Sequence, residues 1–226
     1  QTITVELRHE IADHSETKTV TSTVTYEGVK PAQAASEKTA TVTHTYQTDE
    51  VTDDRIQAAD SAKYADDAKY KADTYAVATD DDATIDAQTG DLTFNDVKSP
   101  VVPGYTADKL TVQNKTATKV ATDGTISYDD VATVVNYTAH AQKATVVFKD
   151  LTTGETLTAS DVALTGTSDG DMDFTDAKAT LAGLEAKHYY VVTDLPASEA
   201  FDHADNEDQT ITVELRHEIA DHSETK

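Results

Sequence analysis

The sequence predicts an α+β chain rich in β-structure: two elongated domains in tandem, the second of β-grasp (ubiquitin-like) type and the first related to it. Three observations lead there. Short segments alternate apolar residues with threonine, the period of a strand with one wetted face. The last third reads strand, strand, helix, strand, strand within about 75 residues, with one helix available to cover one mixed sheet. Gln1–Lys18 recurs without a mismatch as Gln209–Lys226. That spacing is longer than solenoid or propeller periods, and it is the pattern expected of one unit plus 18 residues from a tandem array.

Each element follows from its residues. Segment 1–9 places Ile3, Val5 and Leu7 on one face and Thr2, Thr4, Glu6 and Arg8 on the other, a half-buried strand. His9–Lys18 is polar and aperiodic, a linker. Strands follow at 19–26, with Val20, Val24 and Tyr26 inward, and at 39–46, with Ala40, Val42, His44 and Tyr46 inward. Residues 53–79 are rich in alanine and free of glycine and proline. Tyr64, Ala68 and Tyr75 recur there at helical spacing, with Asp53 or Asp54 as cap, so a helix is expected. Short strands near 91–97, 109–113 and 131–138 are separated by turns at Pro100, Pro103–Gly104 and Asp123–Gly124. A boundary falls in Ala139–Gln142. Beyond it come strands at 143–149 and 155–158, a helix at 175–184 capped by Thr175, and strands at 188–193 and 209–217.

The expected domains are therefore 1–18, the last strand and linker of a preceding repeat; 19–140, containing the 53–79 insertion; 141–217, the β-grasp domain; and 218–226, a linker to the next repeat. Since 209–217 completes the second domain, its copy at 1–9 is expected to be an orphan, either disordered or paired with a neighbouring molecule.

Composition excludes several functions. Eighteen basic against 42 acidic residues give a formal charge of −24, which phosphate backbones and anionic membranes repel. No apolar run approaches the roughly 20 residues that span a bilayer, and no signal peptide opens the chain. The absence of cysteine removes disulfides, thiolate metal sites and a cysteine nucleophile. No nucleophile elbow, P-loop or dinucleotide fingerprint is present, so a non-enzyme is expected.

Certain stretches carry a resemblance. Residues 144–157 (ATVVFKDLTTGETL), 188–194 (HYYVVTD) and above all 201–217 (FDHADNEDQTITVELRH) resemble the mucin-binding (MucBP) domain of Gram-positive surface adhesins. Residues 93–109 (TFNDVKSPVVPGYTADK) are similar to the first domain of lactobacillus mucus-binding repeats; the alanine-rich segment has no counterpart. The resemblance implies a cell-wall-attached extracellular adhesin of a Gram-positive bacterium. Mucin O-glycans are the implied partners, and immunoglobulins a further one.

Candidate chemistry is sparse. His9-Glu10-Ile11-Ala12-Asp13-His14 misses the zinc-protease spacing by one residue, which turns the second histidine about 140° away on a helix. Asp169, Asp171 and Asp173 open like a calcium loop, but Phe174 stands where glycine is required and Thr180 where a glutamate closes the loop. The bland reading is a helix N-terminus with favourable carboxylates. The Asp80–Asp82 triplet has the same two readings. For glycans, Tyr64, Tyr70 and Tyr75 with Lys69 and Lys71 form a candidate patch of aromatic faces and cationic donors for sialic acid or sulfate. Its bland reading is core tyrosines and charge-neutralising lysines. Tyr189 and Tyr190 point to opposite faces of one strand, so one is expected in solvent. The sequons at Asn114 and Asn136 matter only in a eukaryotic secretory pathway.

The resulting expectation is a non-enzymatic adhesion repeat, weak per copy and strengthened by repetition, with no cofactor or, in the calcium reading, one Ca²⁺. A protein-binding module for immunoglobulin and a non-binding stalk remain open beside it.

Overall fold

A computed structural model describes residues 1–79 and 81–219 of the chain. It is β-rich, 47% strand and 9% helix, and divides into two units with separate apolar cores.

Gln1–Glu27, Gln33–Ser99 and Lys109–Val135 form the first unit. Its frame is two long antiparallel strands, β1 (Ile11–Glu27) and β2 (Ser36–Asp49), in register from Ile11 opposite Asp49 to Val24 opposite Ser36. Alternation seats Val20, Val24, Tyr26, Ala40, Val42 and His44 inward, as their period implies. Strand β3 (Thr74–Val77) extends β2, and short strands at 83–85, 92–94 and 115–116 make a second small sheet. Leu92, Phe94, Tyr75 and Ile126 pack against Val20, Ala40 and Val42. Each such large side chain, removed from water, stabilises by about 1.5–3 kcal/mol.

Residues 11–18, expected as linker, are the first half of β1, each opposite a residue of 42–49. The stretch IADHSETK has polar groups toward both faces, so it shows no apolar period; the backbone ladder orders it. Gln1–Glu10 forms no strand, and Ile3, Val5 and Leu7 stand 85%, 74% and 89% exposed.

The helix expected over 53–79 shrinks to a 3₁₀ turn, Ala58–Asp60, and one helical turn, Ser61–Tyr64, whose N-terminal residue Asp60 bonds Lys63 (2.7 Å) and makes no capping bond to the backbone. Alanine propensity is insufficient without a buried stripe. Two competing interactions take the segment instead. Gln47 donates to the Lys69 carbonyl (2.9 Å) and accepts from the Lys71 N–H (2.8 Å). Tyr75 enters β3 opposite His44 and is buried.

The second unit comprises Gly28–Ala32, Pro100–Asp108 and Asn136 onward. Hydrogen bonds tie the Pro100–Asp108 segment into this unit. Strand β4 (Val131–Ala139) pairs at Tyr137–Ala139 with residues 105–107. The His140 N–H donates to the Gly104 carbonyl (2.8 Å), and the Tyr105 hydroxyl donates to Asp169 (2.7 Å). His140 further joins the Thr106 hydroxyl (2.7 Å) to the Asp205 carboxylate (2.8 Å).

The rest of this unit is one mixed sheet and one helix. Strand β5 (Ala141–Asp150) is central, antiparallel to β6 (Val162–Thr167) and to residues 155–156. It runs parallel to β8 (Gln209–His217), which pairs antiparallel with β7 (Tyr189–Thr193). Helix α1 (Thr175–Glu185) covers one face, packing Ala177, Leu181 and Leu184 on Ala144, Val146, Phe148, Val213 and Leu215. The α1 start differs in one detail from expectation. Phe174 occupies the cap position without a side-chain bond, and Asp173 accepts from the Thr175 N–H (2.9 Å) and hydroxyl (2.6 Å). No helix of the described residues is long and apolar enough to cross a membrane. In the 218–226 segment, residues 220–226 lie outside the described residues.

Candidate functional site

The first unit carries a cleft of about 490 Å³ whose lining includes Arg8, His9, Asp49, Lys63, Tyr64 and Asp66. Asp49, buried at the end of β2, is its centre. Its carboxylate accepts the Tyr64 hydroxyl (2.6 Å), His9 Nδ1–H (2.7 Å) and the Val51 N–H (2.9 Å). The Tyr64 bond, then those of His9 and the turn amides, hold the Asp49 carboxyl well below the usual range despite burial. The same bond, with burial and nearby aspartates, pushes the Tyr64 phenol up to about 12. The hydroxyl of Tyr64 is thus committed inside the protein.

The five residues of the expected glycan patch do not form one surface. Tyr64 and Tyr70 stack at 6.2 Å. Tyr75 is only 6% exposed and lies parallel to the His44 ring at 4.6 Å, so it offers no platform. Lys71 pairs with Asp13 at 2.9 Å, and Lys69 is exposed. The missing helix is the reason: the spacing that aligned the three tyrosines belonged to a conformation the chain does not adopt.

The candidate calcium carboxylates are each placed by other bonds. Asp169, at φ 58°, accepts from Tyr105 and pairs with His203 at 2.9 Å. Asp171 bridges to Ala200 through its backbone, and Asp173 accepts from the Thr175 N–H and hydroxyl at the start of α1. Of the other triplet, Asp80 lies outside the described residues. Asp81 accepts the Thr41 and Ala78 amides, and Asp82 pairs with Lys38. Among the described residues no three His, Cys, Asp or Glu side chains are grouped to hold a metal ion.

A second, more open groove of about 970 Å³ lies in the second unit, where Lys187, His188, Tyr189, Tyr190, Arg216 and His217 converge. Three local features build it. His188, at φ 69°, turns the chain from α1 into β7. Pairing of β7 with β8 sets Tyr190 directly opposite Arg216 and Tyr189 opposite His217, which brings cross-strand side chains within contact range. His217 Nδ1–H donates to Asp150 (2.7 Å) and stands edge-on to Tyr189 at 5.9 Å.

Asp150 is the groove's buried support. It ends β5, and it accepts from the Thr152 N–H (2.9 Å), the Thr153 hydroxyl (3.2 Å) and His217. Burial raises its pKa; the bonds from Thr152, His217 and Thr153 outweigh that and leave the carboxyl below its ordinary value. The sequence signalled only that Tyr189 and Tyr190 face opposite ways. Arg216 is far from them along the chain, and the β7–β8 register unites them.

The dipeptide Arg-His lines both clefts, as residues 8–9 in the first and as residues 216–217 in the second. A Muc B2-like domain model matches residues 11–141, more than half of the chain, and a mucin binding domain model matches residues 142–217. The chain belongs to the mucus-binding repeat family. Among solved structures, the crystal structure of Mub-RV is 24% identical, with 58% of this chain and 60% of that one covered and a TM-score of 0.35. A MucBP domain from Lactobacillus acidophilus is 20% identical over 58% of this chain and 100% of that one, with a TM-score of 0.31. The mucus-binding repeat thus spans 60% of the length of the first of these. No curated protein matches it in sequence. Most of the first cleft's lining falls within the Muc B2-like match and most of the groove's within the mucin binding match.

Proposed function

We propose that the chain is an extracellular adhesion repeat, on a cell-wall-attached protein of a Gram-positive bacterium, that binds mucin O-glycans weakly and gains strength through repetition. The observation that carries this reading is the pair of family matches, which together run from residue 11 to residue 217 and include a mucin binding domain. The parallel β5–β8 pair, beneath a single helix on one face, supports a β-grasp reading of that domain. The recurrence of residues 1–18 at 209–226 supports identical neighbours in the parent chain.

Weakness per copy follows from charge. At −24 the chain is not steered toward acidic mucins, so contacts are local. A millimolar constant corresponds to only about −4 kcal/mol, which repetition multiplies by 10²–10⁴-fold in avidity. The test is binding of the chain to immobilised mucin before and after removal of O-glycans and sialic acid. A weak, saturable signal lost with the glycans is expected. A signal that survives deglycosylation would establish protein recognition, immunoglobulin included, and no signal would leave a stalk.

A further inference from the structure

We infer that the Tyr190–Arg216 groove is the saccharide site of the second unit, and that it selects acidic sugars, carboxylated or sulfated, over neutral ones. This rests on the glycan-binding reading above and deepens it by naming a site and a ligand class.

The chain has three arginines, and their surroundings differ. Arg8 donates to the Asp66 carbonyl (2.7 Å), and Arg55 pairs with Asp73. Arg216 has no side-chain partner among the described residues and is exposed, and its guanidinium carries five donors in a fork that matches a planar carboxylate or a sulfate face. Tyr190, directly opposite on β7, is 49% exposed. Both stand on the face of the sheet that α1 does not cover. An aromatic face beside a forked cation is what an acidic sugar requires: the ring stacks on the apolar face of the pyranose, and the guanidinium takes the charge.

Charge in the lining points the same way. The first cleft holds five aspartates, at 49, 54, 60, 66 and 67, and its arginines are already engaged. The groove holds one carboxylate, Glu218, which faces His188 at 3.3 Å. Lys187 at the groove's rim also has no side-chain partner among the described residues. In a chain of formal charge −24, this is where an anion meets net positive side chains. An open groove of about 970 Å³ receives the end of an oligosaccharide without enclosing it.

The test titrates the 226-residue chain with sialyllactose, galactose 6-sulfate and lactose, followed by backbone amide NMR shifts. Saturable shifts centred on residues 187–192 and 214–218 are expected for one or both acidic probes, in the millimolar range, with lactose at least fivefold weaker. The two acidic arms separate a carboxylate ligand from a sulfate ligand. Arg216→Ala should weaken the acidic probes about tenfold and Arg216→Lys by about half that factor, since lysine keeps charge but loses the fork. Lys178→Ala, which removes an exposed cation on α1 that lines neither cleft, should leave both constants unchanged.

Equal binding of lactose and sialyllactose, shifts centred elsewhere, or an Arg216→Ala chain with unchanged spectra and undiminished affinity would overturn the proposal. Mucin binding that is glycan-dependent yet indifferent to Arg216→Ala would remove the groove and leave the adhesion reading standing. Acidic-sugar binding at the groove without mucin binding would do the reverse.

Discussion

Removing the Asp150 carboxylate should unfasten the end of the second unit's sheet, by an amount its bonds allow to be worked out. Asp150 is 2% exposed and takes three hydrogen bonds, from the Thr152 amide, the Thr153 hydroxyl and His217. Bonds to a charged acceptor contribute about 1.5–3 kcal/mol each at most, and the two threonine donors recover part of this from water. Asp150→Ala should therefore cost roughly 2–4 kcal/mol. At about 4–8 °C per kcal/mol for a domain of this size, that lowers its melting temperature by roughly 8–32 °C.

Asp150→Asn keeps an acceptor for the Thr152 amide but turns an N–H toward His217, so about 1–2 kcal/mol is lost. The sign with pH follows from the direction of the shift. The folded carboxyl lies below its ordinary value of 3.8. Its contribution is therefore complete at neutral pH and disappears as pH falls below about 4 through the folded value. Hydrogen exchange at the β5 and β8 amides, with thermal melts from pH 7 to 2.5, reads this directly. The gap between wild type and Asp150→Asn should close on acidification. A gap that stays constant, or an asparagine variant as stable as wild type at pH 7, would refute the reasoning.

Two further substitution pairs test the fold. Gly124 (φ 93°) and Gly154 (φ 80°) both need the left-handed region, but a Cβ on Gly124 would lie 2.5 Å from the Tyr46 ring, whereas at Gly154 it meets nothing within 4 Å. Alanine at 154 should cost about 1 kcal/mol, and at 124 about 2–4 kcal/mol, measured by urea unfolding; equal costs would contradict the packing around Tyr46. Tyr75→Ala should destabilise the first unit by about 3–5 kcal/mol, while Tyr70→Ala, half-exposed, should cost less than about 1 kcal/mol. Comparable losses for both tyrosines would restore the helical reading of 53–79.

Much of the second unit was legible from its residues. The alternation of KATVVFK, the spacing of Ala177, Leu181 and Leu184, and the Thr-Gly-Glu turn name their elements because local period and buried face agree. The first unit was less legible where side chains carry no period. IADHSETK becomes strand through a ladder with 42–49, and the alanine-rich segment forgoes its helix because Gln47 and the core claim its backbone groups and Tyr75. The candidate site was the least legible, since Tyr190 and Arg216 meet only through a register between β7 and β8.

One nine-residue string shows where the division falls. QTITVELRH occurs twice, with the same alternation and the same capacity to bury one face. At 209–217 it is a strand between β5 and β7, with Val213 and Leu215 fully buried. At 1–9 it is no strand, and Ile3, Val5 and Leu7 lie in solvent. The sequence by itself determined the amphipathic pattern and the chemistry of its ends. Tertiary structure decided whether that pattern became a strand, because a strand's hydrogen bonds and its buried face both belong to its neighbours.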